Sequence, residues 1–160
     1  MANCDELIDL KQSIRRLGLR MPHDFAVVYD STMARFWFFN NRARQAVSEL
    51  LKTIPQGRVL SDSELQAMGT LFPDRRFGEL IFLVNEGVLI VPSDMGERPI
   101  RAMHGYHPHA RHSYAALCTN QPDVPEEITS IPDVYRLMTR EADRAKLQNH
   151  SPCAPAALQE

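Results

Sequence analysis

Lysine, cysteine and tryptophan are scarce in this chain of 160 residues, which carries three Lys, three Cys and a single Trp. Cys4, Cys118 and Cys153 are an odd number at wide spacing. That fits neither a disulfide framework nor a Cys-x-x-Cys metal knuckle, and it points to a reducing compartment, by default the cytoplasm. With so little Lys, positive charge falls to 15 Arg, offset by 20 acidic residues for a formal net charge of −2. A basic nucleic-acid footprint is therefore not expected. No apolar run approaches the roughly 18 residues that a membrane span requires. The opening Met-Ala-Asn-Cys-Asp-Glu carries acids where a secretory signal would carry positive charge, so export is not expected either. A chain of this length buries about two-thirds of its unfolded surface, enough for an ordinary core without a disulfide or a metal.

Leu7, Leu10, Ile14 and Leu17 recur at helical spacing and Gly18 follows as a stop, so an amphipathic helix is expected over residues 4–17. The runs Phe25-Ala-Val-Val-Tyr29 and Arg35-Phe-Trp-Phe-Phe39 are β-rich and separated by turn-forming Asp30-Ser31-Thr32, a hairpin. Apolar nearly throughout, its strands should be buried on both faces. Ala43, Ala46, Val47, Leu50, Leu51 and Ile54 mark a helix begun by Asn40 or Asn41 and ended before Pro55. A short strand at 58–60 precedes Ser61-Asp-Ser-Glu64, whose capping-box spacing opens a helix closed by Gly69. Strands at 80–84 and 88–91 around Asn85-Glu86-Gly87 read as a second hairpin. Ser113–Cys118 reads as one more strand, and Ser130-Ile-Pro-Asp133 caps a last helix; beyond about residue 141 the charged, then Ala- and Pro-rich composition is that of a disordered tail. The class is α/β in the mixed, α+β sense.

Function is sought between Pro92 and Pro125, where Gly and Pro punctuate a polar stretch holding His104, His107, His109 and His112. Imidazole is a common zinc ligand and a loop lets irregularly spaced side chains converge. Against this, loop histidines are often simply solvated, and Pro108 keeps His107 and His109 out of regular geometry. Gly105 directly after His104 permits an unusual backbone angle or a close approach, which singles out His104 as the metal candidate, with His107 and His109 weaker. Asp30-Ser-Thr-Met-Ala-Arg35 contains an acid, two hydroxyls and a guanidinium, but it reads as turn chemistry and packing rather than a nucleophile site. Arg35, Arg75 and Arg76 are a weak phosphate-site candidate.

The succession Asp30-Ser-Thr-Met-Ala-Arg-Phe-Trp37, Phe72-Pro-Asp-Arg-Arg-Phe-Gly78, Pro92-Ser93, Met103-His-Gly-Tyr106 and Ile131-Pro-Asp-Val134 resembles the C-terminal part of type I phosphodiesterase/nucleotide pyrophosphatase proteins, within the alkaline phosphatase superfamily. The likeness spans residues 20–139, and the His-Gly-Tyr loop after an apolar hairpin is its most specific piece. It implies a ferredoxin-like cap-type part over 20–91, then a metal-loop and core part over 92–139 belonging to a larger phosphatase-like sheet, with 140–160 a tail. It also implies two zinc ions that assist a Ser or Thr nucleophile in hydrolysing phosphate esters, which are small molecules.

By position, His104 matches the family's late metal-ligating histidine. His107 stands where relatives often have Asp, and no ligand role transfers to His109 or His112. The family's Asp-Gly ligand strand, nucleophile segment and Asp-His-Gly segment have no counterpart in residues 1–24. One imidazole cannot hold a catalytic zinc, which takes three protein ligands. The expectation is a C-terminal fragment or subunit of a metal-dependent phosphodiesterase, inactive alone and completed by a missing N-terminal catalytic part or by self-association. The alternatives are a non-catalytic binding module and a stand-alone histidine-loop metal-binding protein.

Overall fold

A computed structural model of the chain describes residues 1–120 and 128–149 and confirms a mixed α and β protein. It divides into a unit from Met1 to Ala115 and a second from Ala116 onward. The first unit opens with two short strands, β1 (Ala2–Asn3) and β2 (Glu6–Ile8), and one short helix, α1 (Leu10–Arg15). There follow β3 (Phe25–Tyr29), β4 (Met33–Phe38), α2 (Asn41–Lys52), β5 (Gly57–Val59), α3 (Asp62–Ala67), β6 (Leu80–Val84), β7 (Val88–Ile90) and β8 (Ala102–Met103).

The helix expected over 4–17 is half strand. Asp9 accepts the Gln12 N–H at 2.8 Å and so starts α1 only at Leu10. Before it, Glu6–Ile8 lies parallel to Val88–Ile90, and Leu7 is left 49% exposed. A pairing partner some eighty residues away outweighs the helical spacing of Leu7 with Leu10, because one uncapped turn of helix contributes little by itself.

The first hairpin forms as expected, Tyr29 facing Ala34 and Phe25 facing Phe38. β6 and β5 extend it to a four-stranded antiparallel sheet in the order β3-β4-β6-β5. Burial on both faces is met in β6 from Ile81 to Val84, but not throughout the hairpin for which it is expected, since Ala26, Val27 and Val28 of β3 stay half-buried. Phe82 and Val84 enter a main core with Phe36, Val47 and Leu51, while Ile81 and Leu83 enter a smaller one with Leu60 and Leu65. In β4 it holds only in part, since Arg35 lies on the second face beside Phe77. Gly57 allows the edge strand to close on the sheet; a Cβ there would lie 2.6 Å from the Phe82 ring. Asn40 caps α2, accepting the Ala43 N–H at 2.9 Å, and Ala43, Val47 and Leu51 form its buried face. The capping box of α3 forms at Ser61 and Glu64.

The second expected hairpin does not form, although its strands and turn do. The Gly87 carbonyl accepts the Asp5 and Glu6 N–H groups, and the Ile90 N–H reaches the Ser31 carbonyl at 2.8 Å. These bonds draw β7 into a parallel pair with β2, whereas β6 stays with β4 and β5. The strand expected at 113–118 is also absent. A short 3-10 turn covers Arg111–Ser113, and Tyr114 and Leu117 stay exposed with no strand partner among the described residues to draw them into a ladder.

In the second unit α4 (Ile131–Asn149) begins where expected, the Asp133 carboxylate accepting the Ser130 N–H at 2.9 Å and hydroxyl at 2.6 Å. It runs on through the charged segment that composition assigned to a tail, supported by pairs such as Arg144–Glu141 at 3.0 Å. Residues 150–160 of that segment, and part of the 92–125 stretch, lie outside the described residues. Among the described residues no helix is long and apolar enough to cross a membrane.

Candidate functional site

The loop that follows β8 is held at both ends. On the near side Ala2 pairs with Met103, and the Cys4 N–H donates to the Arg101 carbonyl at 2.9 Å. On the far side Tyr106 is buried and its hydroxyl donates to the Val88 carbonyl at 3.0 Å. Burial pushes the Tyr106 phenol well above its usual range, with the nearby Cys4 thiol acting in the same sense. The hydroxyl therefore stays protonated as a structural donor.

Between these anchors Gly105 adopts φ +91°, and a Cβ there would lie 3.1 Å from the Thr32 hydroxyl oxygen. The Thr32 hydroxyl instead donates to the Gly105 carbonyl at 2.8 Å. The unusual backbone angle and the close approach expected of this glycine are both present. Their result is that His104 stands exposed on an otherwise tethered loop.

The other histidines go elsewhere. The His109 N–H donates to Nδ1 of His107 at 3.2 Å, and the two rings meet edge to face at 5.2 Å. His107 thus has only Nε2 free for a ligand. His112 pairs through Nδ1 with the Glu86 carboxylate, which that contact holds below the usual carboxylate range. Among the described residues, no three His, Cys, Asp or Glu side chains are grouped so as to hold a metal ion.

The Asp30–Arg35 segment behaves as a turn. Ser31 and Thr32 are buried, and their carbonyls accept the Ile90 and Val84 N–H groups at 2.8 and 3.0 Å. Asp30 pairs with Arg35 at 3.1 Å. The three arginines weighed as a phosphate site each carry their own carboxylate, Arg75 taking Asp62 in a two-point contact and Arg76 taking Asp74 at 3.0 Å. A paired guanidinium offers an anion far less than a free one.

Two positions that tie distant segments together escape a reading of the sequence. Thr32 is one, tied to the His104 loop across 73 residues; two hydroxyl residues in an apolar hairpin were the signal. Asp94 is the other. Its carboxylate accepts the Tyr29 N–H at 2.8 Å and pairs with Lys11 at 2.7 Å, and its own N–H donates to the Tyr29 carbonyl at 2.7 Å. Its sequence neighbours, Ser93-Asp94-Met95-Gly96-Glu97, do not set it apart from ordinary surface charge. No protein-family model matches the chain, and no curated protein matches it.

Proposed function

We infer that this chain is the part of a metal-dependent phosphodiesterase that presents His104 to a zinc site, and that it does not hydrolyse phosphate esters by itself. The observation that carries the reading is the exposed His104 imidazole on a loop tethered by Thr32 and Tyr106. A ligand held this way loses little freedom when it meets a metal. Further polypeptide, in one longer chain or in a partner, supplies the remaining ligands and the nucleophile. When bound, a pair of divalent ions neutralises charge on the attacking and leaving oxygens of phosphoryl transfer. His104 acts as a neutral nitrogen donor, Gly105 keeps bulk away from the loop, and Tyr106 sets its orientation through the Val88 carbonyl.

The four-stranded sheet with its helices serves as the cap in this reading, although its strand-strand-helix-strand-helix-strand order departs from the strand-helix-strand-strand-helix-strand order of a ferredoxin-like unit. β2 and β8, together with β7, which the resemblance put in the cap part over 20–91, serve as edges of the larger phosphatase-like sheet. What supports that assignment is β2–β7, a parallel pair standing as a two-stranded sheet whose β7 is wholly buried. Parallel strands are ordinarily found in larger sheets with both faces covered.

Zinc titration of the wild type and of His104→Ala tests the ligand. A clear loss of affinity in the variant is expected, and unchanged affinity removes His104 from the site. Assay of the full chain against bis-p-nitrophenyl phosphate with zinc or manganese tests the incompleteness. No turnover above background is expected; robust turnover abolished by a chelator overturns it.

A further inference from the structure

A groove of ≈ 320 Å³ runs between α1 and β3, with apolar walls from Ile14, Leu19, Phe25 and Val27. That is the lower end of the range of about 300–1,000 Å³ found for small-molecule sites. Four polar side chains reach it: Lys11, Arg15, Tyr29 and Asp94.

Two of these cancel. Lys11 Nζ donates to one Asp94 oxygen at 2.7 Å, and the other oxygen accepts the Tyr29 N–H at 2.8 Å. The other two are unspent. Arg15, in the last turn of α1, has no side-chain partner among the described residues. Tyr29 lines the groove and is only 6% exposed, and among the described residues no protein group hydrogen-bonds its hydroxyl, which solvent still reaches. Such a hydroxyl is left to water or to a ligand. Burial raises its pKa well above the usual range, Asp94 and Asp9 acting with it and Arg15 against. The hydroxyl is therefore a donor with no protein acceptor among the described residues, and exposed Arg15 is the cation whose charge acts on it.

We propose that this groove binds a small apolar carboxylic acid as its anion, the hydrocarbon body lying on Ile14, Leu19 and Val27 and the carboxylate taking Arg15 and the Tyr29 hydroxyl. A carboxylate satisfies both unspent groups at once, and the apolar walls select against small inorganic anions. None of these residues belongs to the His104 loop, so this site stands or falls apart from the phosphodiesterase reading.

The test is a titration of the ¹⁵N-labelled full chain with octanoate near neutral pH, followed by amide chemical shifts. Saturable shifts at Leu19, Val27 and Tyr29 are expected, with octanol and acetate each binding about tenfold more weakly or worse. Arg15→Gln should weaken octanoate by about tenfold and Tyr29→Phe by a smaller factor, while Arg98→Gln, outside the groove, leaves it unchanged. The absence of saturable shifts overturns the site. Equal binding of octanol overturns the anion anchor, and undiminished binding by Arg15→Gln overturns the role of Arg15. The same spectra report folding, and should Tyr29→Phe unfold, Arg15→Gln, altered on an exposed side chain, carries the test.

Discussion

The Thr32 hydroxyl donates to the Gly105 carbonyl at 2.8 Å, joining the turn of the first hairpin to the loop that carries His104. The contact is tight because Gly105 has no Cβ, and it is possible only because Gly105 sits at φ +91°. Thr32 is also anchored through its backbone, its carbonyl accepting the Val84 N–H at 3.0 Å. The His104 loop is therefore fastened to the central sheet.

Thr32→Val removes the donor while keeping the shape, and should cost about 1 kcal/mol in urea unfolding. Gly105→Ala should cost about 1–3 kcal/mol, because it adds a Cβ at a positive φ against Thr32. The two residues touch, so the double variant should be less destabilised than the sum. Strict additivity in that cycle would show that the contact contributes nothing.

Tyr106→Phe deletes the bond to the buried Val88 carbonyl and should destabilise by about 0.5–1.5 kcal/mol. Amide exchange should accelerate around 102–107 more than in α2, since the loop loses one of its anchors. Uniform acceleration across the chain would instead mark a global loss of stability.

Phe36 is fully buried against Phe25, Tyr29 and Phe38. Phe36→Ala should cost about 3–5 kcal/mol, the transfer term plus the cavity. Phe39, 59% exposed one residue beyond the strand, is the control; its Ala variant should stay within about 0.5 kcal/mol of wild type.

The Ser61 N–H and hydroxyl, with Arg58, hold the Glu64 carboxyl down to about 2. A depressed carboxyl pKa stabilises the fold above the unfolded value, and this contribution disappears as pH falls towards the folded one. The part of acid destabilisation that lies between about pH 4.5 and pH 2 should thus shrink in Glu64→Gln. An identical pH profile in the two proteins would remove Glu64 from that role. Ser61→Ala should cost about 1 kcal/mol at neutral pH through loss of the helix cap.

Elements defined by local chemistry were legible in the sequence. Asn40 and Pro55 bracket α2, Ser61 and Glu64 open α3, Ser130 and Asp133 open α4, and the Asp30–Thr32 turn joins its hairpin. In each case the deciding groups lie within a few residues of one another. The significance of Gly105 was legible too, since a glycine beside a candidate ligand is a statement about the backbone. What misled was spacing without a local stop. Leu7 continues the helical pattern of Leu10 and Ile14, and nothing near it says that Glu6–Ile8 will be a strand.

The mixed class, the caps of α2, α3 and α4, the turns and the choice of His104 as the residue to watch follow from the sequence. The tertiary structure alone decided which strands pair, since β7 leaves β6 for β2 through bonds to Gly87 and Ser31 that link segments far apart in the chain. It alone joined Thr32 to Gly105, paired His112 with Glu86 and set Tyr29 beside Arg15 in one groove. The reason is physical: caps and turns are settled by hydrogen bonds between near neighbours, whereas strand partners and sites are settled by burial, which depends on the whole chain at once.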